Sequence, residues 1–466
     1  MSSTTRGGAA LRSTLLPGWG QAAVGDRRTA TLLIGVDVAL LGAAGWVAVQ
    51  PVDTLLVALL TPGAFTSLAI VNLIVFGYRA WAAWDAWDRG AGSGRAIWLV
   101  VLLALAALPH AGVAVLHARV VVALDRVFVA APPASTTTTS TTTTTTTAAT
   151  TPTTTTDAEP APTTIPTEAT TTITATIDEQ PPWGDHLVLL LLGGDGGPDR
   201  DGIRTDAIIV MAVRSEDGLM SVFSLPRNLR AFPFPDGEGF DGILNAVLRF
   251  GENHPDRFAG PDPGATALRG VVEEVLGVEV DHHLLVDFEA FRAGVDALGG
   301  VTMPVPTTIT YPGFRLADGT RVDMVIEEGV RHLDGDMALA YVRSRREGND
   351  YGRTERQKCL LAALLDQARP ARALVALPSL LGTFESTVRT DIPRDALPEM
   401  VALLADVDLG RVGLITFGPP AWHEGWVSGG WPIPDVARIR EAVAAALDGS
   451  PPLDAGLVPA TTSCGL

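Results

Sequence analysis

The chain has 466 residues, a formal net charge of −18 and 47% apolar residues. So acidic a protein offers no nucleic-acid face, and its two cysteines, Cys359 and Cys464, are too few for a disulfide scaffold or a structural zinc site. The length predicts two or three units with enough apolar side chains for a full core.

The charge is unevenly spread, because residues 1–130 carry nine arginines against six aspartates, a local excess of +3. Apolar runs over 29–49, 64–84 and 96–118 each approach the ~20 residues a helix needs to cross the hydrocarbon core. A fourth run, 52–60, is too short to cross and is expected at the interface. No cleavable signal is expected, since the first long run begins late and no small-residue cleavage site follows it. Arg6, Arg12, Arg27 and Arg28 precede the first run, and Arg79, Arg89 and Arg95 lie near the second loop. The positive-inside rule then predicts a cytoplasmic N-terminus, and three crossings put everything after Arg119 outside. The chain is thus expected to be a multi-pass protein of the cell membrane, with the lipid bilayer as a partner and an extracytoplasmic C-terminal domain.

Trp81, Trp84 and Trp87 stand where the second span leaves the bilayer, as an aromatic belt would. Asp37 lies within the first span, where a carboxylate is costly and is a functional candidate by default. With no basic residue inside the other spans, a protonated, hydrogen-bonded aspartate is favoured. The PGWGQ segment at 17–21 predicts a turn at the cytoplasmic surface. From Ala131 to Pro182 threonine dominates, with an unbroken run over 141–147, and such a stretch predicts an extended tether. The expected organisation is a cytoplasmic N-terminus (1–28), a membrane region (29–118), a linker (119–182), a folded domain (183–450) and a tail (451–466).

In the folded domain, apolar runs at 186–192, 207–213, 219–225, 282–288, 301–305 and 412–417 predict strands. Helical patterns fall at 263–276, 289–298, 335–342, 354–368, 394–405 and 434–447, and Gly277, Gly299 and Gly300 stop two of them. Several strands are apolar on both faces, so the fold class is α/β, a central mixed sheet flanked by helices.

The chemistry gathers in two places. Residues 341–357, YVRSRREGNDYGRTERQ, place Arg343, Arg345, Arg346, Arg353 and Arg356 beside Asp350 and Gln357 in a strongly acidic protein. Guanidinium is a permanently charged fork that matches phosphate bidentately, so this spacing predicts a pyrophosphate clamp; a solvated charge run on a helix is the bland alternative. In a continuous helix Arg343 and Arg345 would point about 200° apart. For both to reach one anion the helix must end near Val342, leaving 343–349 as a loop. Upstream, Asp195 ends the first strand in LLLLGGDGG and Asp206 opens the second in IRTDAIIV. Two carboxylates with waters and phosphate oxygens suit Mg²⁺, and the glycines at 193, 194, 196 and 197 leave room for a phosphate. A glycine-rich turn with a capping aspartate is the alternative. SLPRN places Arg227 directly after the third strand, and His282 and His283 are expected to be structural.

Together these pieces resemble the LytR-CpsA-Psr family of wall-polymer ligases over roughly 187–368. The matching residues are the G-x-D turn at Asp195, R-[ST]-D at Arg204 to Asp206, S-[IL]-P-R at Arg227, LNA at Asn245, LGGV at 298–301, and DGDMALAYVRSR followed by DYGRTERQ. The resemblance implies that Asp195 and Asp206 hold Mg²⁺. It implies that Arg204, Arg227, Arg343, Arg345, Arg353 and Gln357 bind pyrophosphate, with Arg227, Arg343, Arg345 and Asp206 as the catalytic set, and that an apolar tunnel takes a polyprenyl chain. The implied partners are a polyprenyl-pyrophosphate-linked glycopolymer and peptidoglycan, joined through a phosphodiester in cell-wall assembly. A polyprenyl-pyrophosphate hydrolase would use the same residues, and a non-catalytic envelope regulator would need none of them. The family usually has Asp where this chain has Asn228, which keeps shape and hydrogen bonding but not charge, so Asn228 is expected to orient Arg227. Because both cysteines fall outside the membrane, pairing of Cys359 with Cys464 is a further expectation, a core role for Cys359 being the alternative.

Overall fold

A computed structural model describes residues 4–61, 63–92, 95–128, 181–196, 203–346, 350–367, 387–405, 407–408, 411–449, 458–459 and 464. Most of the predicted tether, Gly197, positions 347–349 of the predicted loop and Ala368 lie outside these residues.

The N-terminal region is helical: α1 (Arg6–Leu15), α2 (Trp19–Ala23), α3 (Arg27–Ala48), α4 (Val52–Leu60), α5 (Ala64–Arg89) and α6 (Ala96–Val127). Helices α3, α5 and α6 are long and apolar enough to cross a membrane. PGWGQ proves to be a packing device. Gly18 takes a left-handed φ of 94° that L side chains rarely adopt, and a Cβ on Gly20 would fall on the Ala9 carbonyl. That close approach buries Gln21, which accepts from Ser13 Oγ at 2.5 Å and donates to Ala82 O at 2.8 Å and Asp85 Oδ2 at 3.0 Å. Trp81 and Trp84 are exposed as a belt requires, but Trp87 is buried. Asp37 is buried on α3 within 3.2 Å of the Tyr78 hydroxyl, which also donates to Leu33 O at 2.8 Å.

The folded domain runs β1 (His186–Gly194), β2 (Thr205–Arg214), β3 (Met220–Ser224), α7 (Val247–Asn253), α8 (Pro263–Leu276), β4 (His282–Val286), α9 (Phe288–Ala297), β5 (Val301–Val305), β6 (Ile309–Arg315), β7 (Arg321–Ile326), β8 (Gly329–Leu333), α10 (Gly335–Arg343) and α11 (Asp350–Gln367). It continues with β9 (Val388–Thr390), α12 (Leu397–Ala405), β10 (Gly413–Thr416), β11 (His423–Val427), β12 (Trp431–Pro434), α13 (Val436–Leu447) and β13 (Val458–Pro459). A seven-stranded sheet has the order β13-β10-β3-β2-β1-β4-β9. Strands β1, β3, β4 and β10 run parallel to one another while β2, β9 and β13 oppose them, so the sheet is mixed.

Alternation along β1 explains the layers. Leu187 and Leu189 join one apolar cluster with α10, α11 and α12, whereas Val188, Leu190 and Leu192 join another with α8 and α13. Helix ends follow local chemistry: Asp262 and Asp334 cap α8 and α10 by accepting from Ala265 N and Met337 N, and Gly277 ends α8 at φ 73°. Within 451–466, β13 pairs with β10 and Cys464 is bonded to Cys359 across a Cα separation of 5.3 Å, so these described residues are integrated into the domain.

Candidate functional site: an anion-binding cleft at the sheet end

The carboxyl ends of β1, β3, β4 and β10 lie at one edge of the sheet, where an open α/β fold places its ligands. The ladder breaks there. Gly193 pairs with Ala207 but Gly194 pairs with Thr205, which leaves Asp206 as the extra residue of a β-bulge. A bulge re-aims a side chain, and here it turns the Asp206 carboxylate toward a group of arginines. The glycines make this possible, since a Cβ on Gly193 would lie 2.9 Å from the Ala207 Cβ and one on Gly194 would lie 2.6 Å from Ile203 Cγ2.

Asp206 Oδ1 accepts from Arg227 Nη1 at 2.7 Å, while its Oδ2 lies 3.8 Å from Arg345 Nη2 and 3.8 Å from Arg353 Nη1. Arg353 is buried to 2% exposure and also donates to Asp206 O at 3.4 Å. Burial pushes the Asp206 carboxyl up, but Arg227, Arg353 and Arg345 outweigh it and hold the group below the ordinary carboxylate range.

Helix α10 stops at Arg343, with Ser344 extended at φ −58° and ψ 141°, one residue beyond the expected end. The physical cause is Arg356. Its Nε donates to Tyr341 O at 2.9 Å and its Nη2 to Ser344 O, so a buried guanidinium occupies the carbonyls that another turn of helix would use. Ser344 Oγ donates to Thr310 O at 3.1 Å, fixing the exit of the chain. Arg343 then lies over the Phe288 ring at 4.1 Å, and Gln357 Nε2 donates to Val342 O at 3.5 Å. The start of α11 is tied to the end of β10, where Thr416 Oγ1 donates to Glu355 Oε1 at 2.7 Å.

The structure therefore brings Asp206, Arg227, Arg345 and Arg353 together, with Arg343 and Gln357 on an adjoining cavity. Arg204 is placed differently: it is exposed, and its backbone N–H, not its guanidinium, donates to Asp195 Oδ1 at 2.8 Å. Asn228 does not orient Arg227 through Oδ1, which is buried with no hydrogen-bond partner among the described residues; Asp206 performs that task. Thr205 Oγ1 and Ser224 Oγ, on the same strand ends, are likewise buried with no hydrogen-bond partner among the described residues. His283 is buried against Asp391, its Nδ1 3.0 Å from Oδ1, which fits a structural role.

Behind the arginines lies a cavity of about 270 Å³ lined by Leu284, Phe288, Phe291, Leu360, Leu361 and Leu364, with Asp206, Arg343 and Gln357 also on its wall. Asp287 lines it too, although sequence reasoning passed it over. Burial pushes its carboxyl up while its Oδ1 caps α9 by accepting from Glu289 N and Ala290 N. For a divalent cation, the chain offers Asp195 and Asp206, and no three acidic, His or Cys side chains gather among the described residues. Mg²⁺ takes one or two carboxylates with waters and phosphate oxygens, so a cation held by either residue would need the substrate to complete its shell.

An arginine-rich cleft backed by an apolar cavity marks an α/β domain on a chain that also carries membrane-length helices. The chain belongs to the LytR_cpsA_psr family, whose model matches residues 137–418. A relative from Halalkalibacterium halodurans named polyisoprenyl-teichoic acid–peptidoglycan teichoic acid transferase TagU is 28% identical over 218 residues, covering 46% of this chain and 64% of its own length. The TagT transferase of Bacillus subtilis is 27% identical over 226 residues, covering 47% of this chain and 65% of that protein. The match thus spans less than two thirds of the length of these curated relatives. The crystal structure of B. subtilis TagV is similar with a TM-score of 0.44 and 22% identity, over 57% of this chain and 98% of that one.

Proposed function

We propose that this protein transfers a glycopolymer from a polyprenyl-pyrophosphate carrier to peptidoglycan, with its folded domain outside the cell membrane. The observation that carries the reading is the junction of two environments: guanidiniums around Asp206 at one end of a cavity whose walls are apolar. A pyrophosphate with a hydrocarbon tail needs both. The transferase names of the relatives support the same chemistry.

A hydroxyl oxygen on peptidoglycan attacks the sugar-linked phosphorus, the bond to the bridging oxygen breaks, and prenyl phosphate leaves with the electron pair. The hydroxyl proton passes to solvent. Arg227, Arg345 and Arg353 stabilise charge where it develops, and Arg343 with Gln357 holds the leaving phosphate at the mouth of the cavity. Asp195 and Asp206 would hold Mg²⁺, which when bound supplies further neutralisation of the phosphate oxygens. Asp206 also sets the positions of Arg227 and Arg353 before substrate arrives.

The test is to incubate the full chain with Mg²⁺, a lipid-pyrophosphate glycan and peptidoglycan fragments. A phosphodiester-linked product supports transfer. Release of glycan phosphate without linkage would mean hydrolysis, and an unchanged donor would favour a regulator.

A further inference from the structure

Three elements of the N-terminal region converge on one edge of the folded domain. The apolar helix α4, too short to span a bilayer, packs along α12, and its Leu60 rests against the same buried cluster that includes Leu397, Met400 and the cavity-wall residue Leu360. Phe128, just past α6, packs on that cluster too. Helix α6 also touches β9, whose Val388 pairs with Val286 on the cavity wall. Finally, Arg394, before α12, forms an ion pair with Asp125 of α6 and lies 5.8 Å over the Phe65 ring at the start of α5.

Resting on the function proposed above, we infer that α4 and the adjoining ends of α5 and α6 form a seat for the β9–α12 edge, through which the carrier's hydrocarbon chain passes from the bilayer into the apolar cavity. The chemistry favours a dry route. Apolar surface exposed to water is costly in proportion to its area, so a long isoprenoid tail crossing an aqueous gap would oppose its own binding. The exposed Arg394–Asp125 pair contributes little attraction alone, and the apolar contacts of Leu60 and Phe128 carry the docking energy. The pair instead sets the register of the seat. A membrane helix that only tethered the domain would need none of these contacts.

The test uses the full chain in phospholipid vesicles with two donors of the same glycan, one on a long polyprenyl diphosphate embedded in the bilayer and one on a short, water-soluble farnesyl diphosphate. Leu60→Glu puts a charge into the seam, and Arg394→Glu sets two carboxylates together. Each should lower turnover of the long-chain donor by roughly tenfold while leaving the short-chain donor unchanged. The reciprocal variant, Arg394→Glu with Asp125→Arg, should restore most of the loss. Equal loss on both donors, or no loss on either, would overturn the seat. An unmodified chain inert to both donors would instead remove the transfer reading, and this inference with it.

Discussion

At Asp206 one carboxylate meets two demands, since it pairs with Arg227, faces Arg345 and Arg353, and is also a candidate cation ligand. Its arginines are therefore held in place before substrate arrives, and their forks matter as much as their charge. Arg343→Lys or Arg345→Lys keeps the charge and loses the fork. Transfer should fall at least tenfold, a loss of about 1.4 kcal/mol in the transition state, with an unchanged melting temperature. If both lysine variants transfer normally, the clamp is wrong. The matching Asp206→Asn defect should shrink in part as Mg²⁺ is raised, whereas the arginine defects should not. Away from the site, Asp391 joins β4 to the chain after β9. It accepts from His283 N at 2.7 Å and pairs with Arg269 at 3.0 Å. Burial pushes its carboxyl up, but the imidazoles of His282 and His283 beside it and the hydrogen bond from His283 N outweigh this and depress it far below the ordinary value of 3.8. A depressed carboxyl contributes stability that is fully present above 3.8 and is lost as pH falls below that value toward the folded one. Asp391→Asn should therefore lower stability at neutral pH and flatten its decline below about pH 4, measured by urea unfolding at each pH. A parallel decline in both proteins would exclude this role.

Among the elements, α10 shows how one side chain shapes a site from outside it. Arg356→Ala strips the Tyr341 and Ser344 carbonyls of their donor and should cost about 2 kcal/mol in denaturant unfolding, with activity lost through disorder of Arg343 and Arg345. Wild-type stability in that variant would remove the capping role. In the sequence Arg356 looks like its neighbours, because a charge run does not reveal which guanidinium is turned inward. The need for a break near Val342 is legible all the same, from the two-residue spacing of Arg343 and Arg345. Strands buried on both faces, such as β1 and β2, are legible as apolar runs. The β6–β7 and β11–β12 hairpins are not, because Pro312, Gly313, Pro432 and Pro434 interrupt the patterns that mark a strand. Nor does spacing reveal the bulge at Asp206, which depends on register between two strands. The link between α11 and Cys464 is a pairing the sequence leaves open. Denatured protein should show no free thiol before reduction, and equal counts with and without reductant would exclude the bond. Reduction should cost at most about 5 kcal/mol, given a separation of 105 residues.

For the whole molecule, the decisive quantity is the number of crossings. Helices α3, α5 and α6 each satisfy the length and hydropathy of a span, and an odd number of spans puts α1 and the folded domain on opposite sides. The packing of α1 and α2 against α5 agrees with this parity, because it gathers Arg6, Arg79 and Arg89 at one end of the bundle. Arg6 and Arg79 donate to backbone carbonyls there, and Arg89 pairs with Asp26 and Asp85. Basic residues at that end argue for the cytoplasmic face, while the remainder of the chain after residue 130 is strongly acidic. A reporter that works only outside the cell, fused after Leu466, should therefore be active, and a cytoplasmic reporter at the same point should be silent. The reverse result would require an even number of crossings. It would also separate the arginine cleft from any wall acceptor, so the topology and the proposed transfer stand or fall on the same measurement.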